Sequence, residues 1–299
     1  FQREYESKWS GTTADAFFNG DAFDRNRSLQ KPEYEHSGRS SLQSYYILSM
    51  DIARDGCDSV ITVFKVTPQN YGEVSIKSLV NLYVFEDMHF EDQAIWAKRL
   101  FYKYKARRIV IDANGVGAGF VDFMVKPQTD PLTGEEYPDF GVIGGASEGI
   151  EQEYKRFRTD ATEQDAMYLI KANAPINTEA HSNVLTQLTS GKIKFLVDER
   201  VAKNKLLGTQ KGKQMTHEER AEYLKPYVLT SILKEEMLNL REETEGINII
   251  LKQANRSIKK DKFSAFEYGL YYIKQVEDSK RKKKKKFNAA EWRFSSHIS

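Results

Sequence analysis

A single cysteine, Cys57, in 299 residues excludes an intrachain disulfide framework and any cysteine-rich zinc site, which fits a reducing compartment. No apolar run approaches the ~20 residues needed to cross a bilayer, so the chain reads as soluble, with no membrane partner. The five histidines, His36, His89, His181, His217 and His297, form no H-x-x-x-H or H-E-x-x-H pair and read as surface or packing residues. Nucleotide loops are missing too. Gly115, Gly117 and Gly119 would need a glycine at 120 or 122 to complete G-x-G-x-x-G, where Phe120 and Asp122 stand. Gly212-Lys213 lacks the serine or threonine of a phosphate-binding loop. The opening Phe1-Gln-Arg-Glu-Tyr-Glu-Ser-Lys-Trp9 has neither a basic nor an apolar signal-peptide region, and reads as the start of a fragment cut from a longer chain.

The net charge of +2 conceals an asymmetry, because Lys280-Arg-Lys-Lys-Lys-Lys-Lys286 supplies seven positive charges and leaves the remainder acidic. An acidic body with a basic arm fits a polyanion-binding protein that also holds a hard cation. The arm is expected to add sequence-independent affinity for nucleic acid. With 40% hydrophobic residues, the chain can bury a sizeable core.

Residues 1–43 show no sustained period and read as a connector; residues 44–278 read as the main domain and 279–299 as a basic tail. Strand patterns occupy Tyr45 to Ala53, Val60 to Val66 and Val74 to Phe85, with turn residues between them, which predicts an antiparallel meander. Glu91 to Tyr104 has helical spacing and leads into the β-branched run Arg107 to Ile111. That crossover sets a new strand parallel to an earlier one. Beyond Lys126 the expectations are a polar loop, a short strand over Phe140 to Gly145, and a helix opened by Asp160-Ala-Thr-Glu163. A helix over Thr178 to Leu188, a strand over Lys192 to Val197 and a mobile lysine- and glycine-rich loop over Lys203 to Lys213 follow. The capping box Thr216-His-Glu-Glu219 starts helical material to about Arg241, with a break or kink at Pro226. Ile247 to Leu251 reads as a strand.

Three carboxylates stand out. Asp51 ends the first apolar strand, Asp112 follows Arg107-Arg-Ile-Val-Ile111, and Asp261 opens an amphipathic helix. Mg²⁺ and Mn²⁺ prefer such oxygen ligands, and two ions ~3.5–4 Å apart stabilise the attacking and leaving oxygens in phosphodiester cleavage. Asp51 is the candidate for the shared ligand, with Asp112 and Asp261 on either side. Asp55, Asp58 and Asp122 are secondary candidates with turn or helix-surface roles as the simpler reading. A helix-start role for Asp261 and a capping role for Asp112 are the structural alternatives.

The order Asp51-Ile-Ala-Arg-Asp-Gly56, Val110-Ile-Asp-Ala-Asn-Gly-Val-Gly-Ala-Gly119 and Lys260-Asp-Lys-Phe-Ser-Ala265 resembles the nuclease domain of tailed-phage large terminases. The resemblance covers most of residues 1 to 275. It implies an α/β RNase H-like mixed sheet flanked by helices, in which an antiparallel three-strand meander joins parallel strands. It also implies a two-metal DNA endonuclease using Mg²⁺ or Mn²⁺, with Asp51, Asp112 and Asp261 as catalytic metal ligands. Double-stranded concatemeric viral DNA would be the substrate, in the host cell cytoplasm. The implied partners are a portal protein, a small terminase subunit and the missing ATPase domain of the same chain. Some members of that family have a histidine near the third acid, where this chain has Ile258-Lys-Lys260. Lys260 and Lys262 would then be candidates to meet a phosphate. Other readings are a different RNase H-like nuclease or recombinase, or a noncatalytic DNA-binding assembly module.

Overall fold

The computed structural model describes residues 15–37, 44–53, 58–69, 74–115, 117–145 and 165–295; for Gly144, Gly145, Asp165 and residues 283–295 it describes only the backbone. The opening Phe1 to Trp9, Asp55, Cys57 and the Asp160 to Glu163 capping box lie outside the described residues.

β1 (Arg27–Leu29) follows a short helix, α1 (Gly20–Arg25), whose N-cap Asn19 accepts from the Ala22 N–H at 2.9 Å. The meander is β2 (Tyr45–Asp51), β3 (Ser59–Thr67) and β4 (Ile76–Phe85). These runs are β-branched and aromatic, and almost every residue of β2 and β3 is buried, so their sheet is covered on both faces. After α2 (Phe90–Lys103), β5 (Arg108–Asp112) lies parallel to β2, with Met50 opposite Ile111. The crossover therefore returns beside the first strand, a choice among the earlier strands that the sequence leaves open. α3 (Gly117–Met124), the small hairpin of β6 (Gln128–Thr129) and β7 (Glu136–Tyr137), β8 (Gly141–Gly145) and β9 (Asp165–Ile170) follow.

β9 is a correction, since the Asp160 capping-box reading takes helix into this segment. Ala166, Met167, Leu169 and Ile170 are buried beside β5. A short continuous apolar run has no period that separates strand from helix, and pairing in a sheet interior decides it. α4 (Ala174–Thr189) is capped by Asn173 and leads to β10 (Ile193–Leu196).

The Lys203 to Lys213 loop is also corrected. It forms two helices, α5 (Glu199–Leu207) and α6 (Gln210–Gln214), because Ala202 and Leu206 anchor one face and Thr209 caps the second. α7 (His217–Leu238) has the predicted capping box. It runs through Pro226 without a break. The carbonyl that loses a donor there belongs to Glu222, on an exposed turn. α7 stops at Leu238, earlier than expected, and β11 (Leu240–Glu245) pairs with β12 (Asn248–Gln253) as a separate hairpin. α8 (Asp261–Ser295) closes the fold.

Among the described residues the main sheet runs β1-β10-β4-β3-β2-β5-β9-β8. Its central order, meander then parallel β5 and β9, is the RNase H-like mixed arrangement expected from the sequence. One face packs under α8 and α4 through residues such as Phe64, Val110, Phe266 and Leu270; the other packs under α2 and α3 through Leu48, Ile109 and Leu100. Phe18, Ala22 and Phe23 join the first of these clusters, so residues 15–37 contribute to this core.

Candidate functional site

Parallel pairing of β2 with β5 puts Asp51 and Asp112, the last residue of each strand, side by side at one sheet edge. α8 starts over that edge and descends across β2, β3 and β5. Two contacts fix its height. The Thr62 hydroxyl donates to the Ala265 carbonyl at 3.2 Å. A Cβ at Gly269 would lie 2.4 Å from the Phe64 ring and 2.9 Å from the Ser49 Cβ. The closest approach is thus at Gly269, one turn beyond Ala265. The apolar stripe Phe263, Phe266, Leu270 and Ile273 is buried, as the helical spacing predicts.

The turn after Asp112 is equally tight. Gly115 has φ +54, and a Cβ at Gly117 would fall 1.9 Å from the Asp112 carbonyl oxygen. These glycines therefore serve the chain reversal at the strand end. One Asp112 oxygen accepts from the Asn114 N–H at 2.9 Å, so the residue forms an Asx turn, while α3 begins only at Gly117.

All three carboxylates are partly exposed, and their pKa values are raised. For Asp51, burial acts first, followed by repulsion from Asp112 and then from Asp261; Lys260 and a hydrogen bond with Ser264 oppose it. Burial also dominates at Asp112, where Asn114 and Lys260 pull the other way. At Asp261, burial and the Asp58 carboxylate raise the value against Lys262, Lys259 and the Asp58 N–H. Asp51 thus lies within electrostatic reach of both other acids.

They do not form a closed ligand set: among the described residues, no group of three or more His, Cys, Asp or Glu is arranged to hold a metal ion. One atom nevertheless fits a missing cation, since the Asp261 Oδ2 is buried with no hydrogen-bond partner. An unsatisfied, desolvated carboxylate oxygen is costly, and a hard cation would relieve it.

The two lysines beside Asp261 diverge. Lys262 is buried and paired with Glu236 at 3.2 Å, so it does not face a phosphate. Lys260 acts on both Asp51 and Asp112. Asp58 bonds Lys259 at 3.0 Å and lies beside Asp261, making it a fourth acid at the rim. Ser264 and Asn114 escaped the sequence reading, although Ser264 sits three residues after Asp261, on the same helix face. Tyr268 escaped too; burial, Asp112, Glu267 and Asp51 raise its pKa. His181 is a packing residue as expected, with Nδ1 2.7 Å from the buried Glu267 carboxylate.

The fold and this site define the class: an RNase H-like α/β domain with carboxylates gathered at the ends of its two central parallel strands. Comparison with solved structures finds the large terminase nuclease from thermophilic phage G20c with bound magnesium, at 14% identity and TM-score 0.48, over 87% of this chain and 97% of that one. The same nuclease with bound cobalt matches at 13% identity and TM-score 0.49, over 86% and 97%. The nuclease domain of the large terminase subunit of bacterial virus Sf6 matches at 8% identity and TM-score 0.44, over 85% and 98%. No protein-family model and no curated protein matches the sequence.

Proposed function

We propose that the chain is a metal-dependent DNA endonuclease, in which Asp51, Asp112 and Asp261 hold two divalent ions, Mg²⁺ or Mn²⁺. The observation that carries this reading is the pairing of two desolvated carboxylates on adjacent strand ends with a third, Asp261, whose Oδ2 has no partner. Such ions, when bound, stabilise charge on the phosphate oxygens and lower the pKa of a water. The chain's own part is positional. Asp51, which interacts with both other acids, would be the ligand shared between the ions. The Asx turn holds one oxygen of Asp112 at 2.9 Å from the Asn114 N–H, which fixes the carboxylate at the strand end. Lys260 provides positive charge at the rim, where a phosphate would enter.

The three sequence motifs support a more specific reading, in which the substrate is concatemeric double-stranded viral DNA cut during packaging in the host cytoplasm. In that reading residues 44–278 form the nuclease domain, with residues 15–37 packed into its core and the motor, portal and small terminase subunit as partners. Plasmid cleavage tests the chemistry. Wild type should cut supercoiled plasmid with Mg²⁺ or Mn²⁺ and stop with chelator, while Asp51→Asn and Asp261→Asn bind DNA without cutting. Losses should exceed the ~10²–10⁴-fold typical of removing a general acid or base. Robust cutting by Asp51→Asn would remove the assignment.

A further inference from the structure

Two basic features leave this domain, and the sheet sends them to opposite edges. α8 starts at the carboxylate edge and descends until Glu277 meets Lys77, at the beginning of β4, at 2.8 Å. Lys280 then lies over the Tyr45 ring, at the beginning of β2. With a rise of ~1.5 Å per residue, Lys280 sits about 28 Å along the helix from Asp261. The lysine run thus points away from the candidate site.

The second feature is the α5–α6 segment. β10 is parallel to β4, and β4 and β2 both run antiparallel to β3, so β10 ends toward the same edge as Asp51 and Asp112. α5 begins immediately after it. β10 is three strands from β2, about 14 Å at ~4.8 Å per strand. From Arg200 to Met215 there are five cations, Arg200, Lys203, Lys205, Lys211 and Lys213, and no acid. All five are exposed.

Their scaffold is fixed. Ala202 and Leu206 are buried, Ala202 in a cluster with Tyr227. A Cβ at Gly212 would lie 2.1 Å from the Leu206 carbonyl oxygen, so α6 is folded hard against the end of α5. Arg220 donates to the Gly212 and Lys213 carbonyls at 3.1 and 2.9 Å, stapling α6 to α7. The exposed acids Glu218, Glu219 and Glu222 follow on α7, Glu219 closing its capping box. A rigid ridge carrying Lys203, Lys205, Lys211 and Lys213, with Glu199 at the start of α5 and Arg200 held to Asp198 at 3.4 Å, fits a regular polyanion.

We propose that the α5–α6 ridge binds the phosphate backbone of the duplex held at the carboxylate edge, and that the Lys280–Lys286 run does not serve that duplex. The location of the duplex rests on the nuclease reading; the ridge itself does not. The ridge positions DNA without reading its sequence, since lysines on phosphates carry no base information.

The test is binding of a short labelled duplex in Ca²⁺ across a salt series, comparing wild type, the triple variant Lys203→Gln/Lys211→Gln/Lys213→Gln, and a variant with Lys282 to Lys286 changed to Gln. Circular dichroism confirms folding of each. Each lost phosphate contact should reduce the slope of log affinity against log salt by about 0.9, so the ridge variant should flatten it by up to about 3. The tail variant should keep the wild-type slope. With Mn²⁺, the ridge variant should cut with raised KM and near-normal kcat. An unchanged ridge slope, or a drop seen only in the tail variant, overturns the proposal. If the ridge slope falls while wild type fails to cut in Mn²⁺, the ridge stands and the nuclease reading falls; if wild type cuts but the ridge slope is unchanged, the reverse holds.

Discussion

Replacing Asp51 by Asn should stabilise the metal-free protein while abolishing cleavage. The Asp51 carboxyl is held well above its usual range by burial first, then by Asp112 and Asp261, and Lys260 with Ser264 offsets only part of this. A folded-state pKa above the unfolded value means that the native state holds the proton more tightly. The stability is then fully present below the unfolded pKa, about 3.9 for Asp, and is lost as pH rises through the folded value. Asn has nearly the same shape and cannot ionise, so at pH about 8 it escapes that loss. Relief of strain at a functional site by one substitution contributes about 0.5–2 kcal/mol. For a domain of this size, each kcal/mol raises Tm by about 2–4 °C. The assay is thermal unfolding in chelator at pH roughly 4, 6 and 8. The Asn variant should melt higher at the top of this range, and the gap should shrink as pH falls. A variant less stable than wild type at pH about 8, or a gap that widens on acidification, would refute the account of a mutually repelling carboxylate cluster.

Two more predictions concern α8. Glu236, buried against Lys262 and the Phe263 N–H, has its pKa pushed from 4.5 up to about 7, because burial outweighs the attraction of Lys262. Stability from that group is present below about pH 4.5 and lost as pH rises through 7, so Glu236→Gln should gain on wild type by up to about 3 kcal/mol over that window. Urea unfolding across the same window checks it, and a wild type that gains on the variant would show that the ion pair dominates. Gly269→Ala adds a methyl group against Phe64 and Ser49 and should cost about 1–3 kcal/mol by overpacking, despite the better helix propensity of alanine. A rise in denaturation midpoint would place α8 farther from the sheet.

The site was more legible in the sequence than the periphery of the fold. β2 and β5 are continuous apolar runs that stop at an acid, and stopping there marks an edge where a carboxylate has a use. The right-handed crossover narrowed the topologies, and the parallel pairing of β5 with β2 sets Asp51 beside Asp112. Lys262 was misjudged because its burial depends on Glu236, 26 residues earlier on another helix. β9 was missed because Ala-Met-Tyr-Leu-Ile has no distinguishing period. β11 was missed for the opposite reason, since Arg-Glu-Glu-Thr-Glu carries almost no apolar signal and depends on pairing with β12. α5 and α6 were hidden by glycines that look like loop formers, whereas Gly212 permits close packing on Leu206.

The most direct measurement is anomalous density from crystals of the protein soaked in manganese. The account predicts one or two peaks between Asp51, Asp112 and Asp261, with Asp51 touching both ions if two are present. It also predicts no peak in Asp51→Asn crystals soaked in the same way. Manganese bound elsewhere while this edge stays empty, or an undiminished peak in the Asp51→Asn protein, would contradict it.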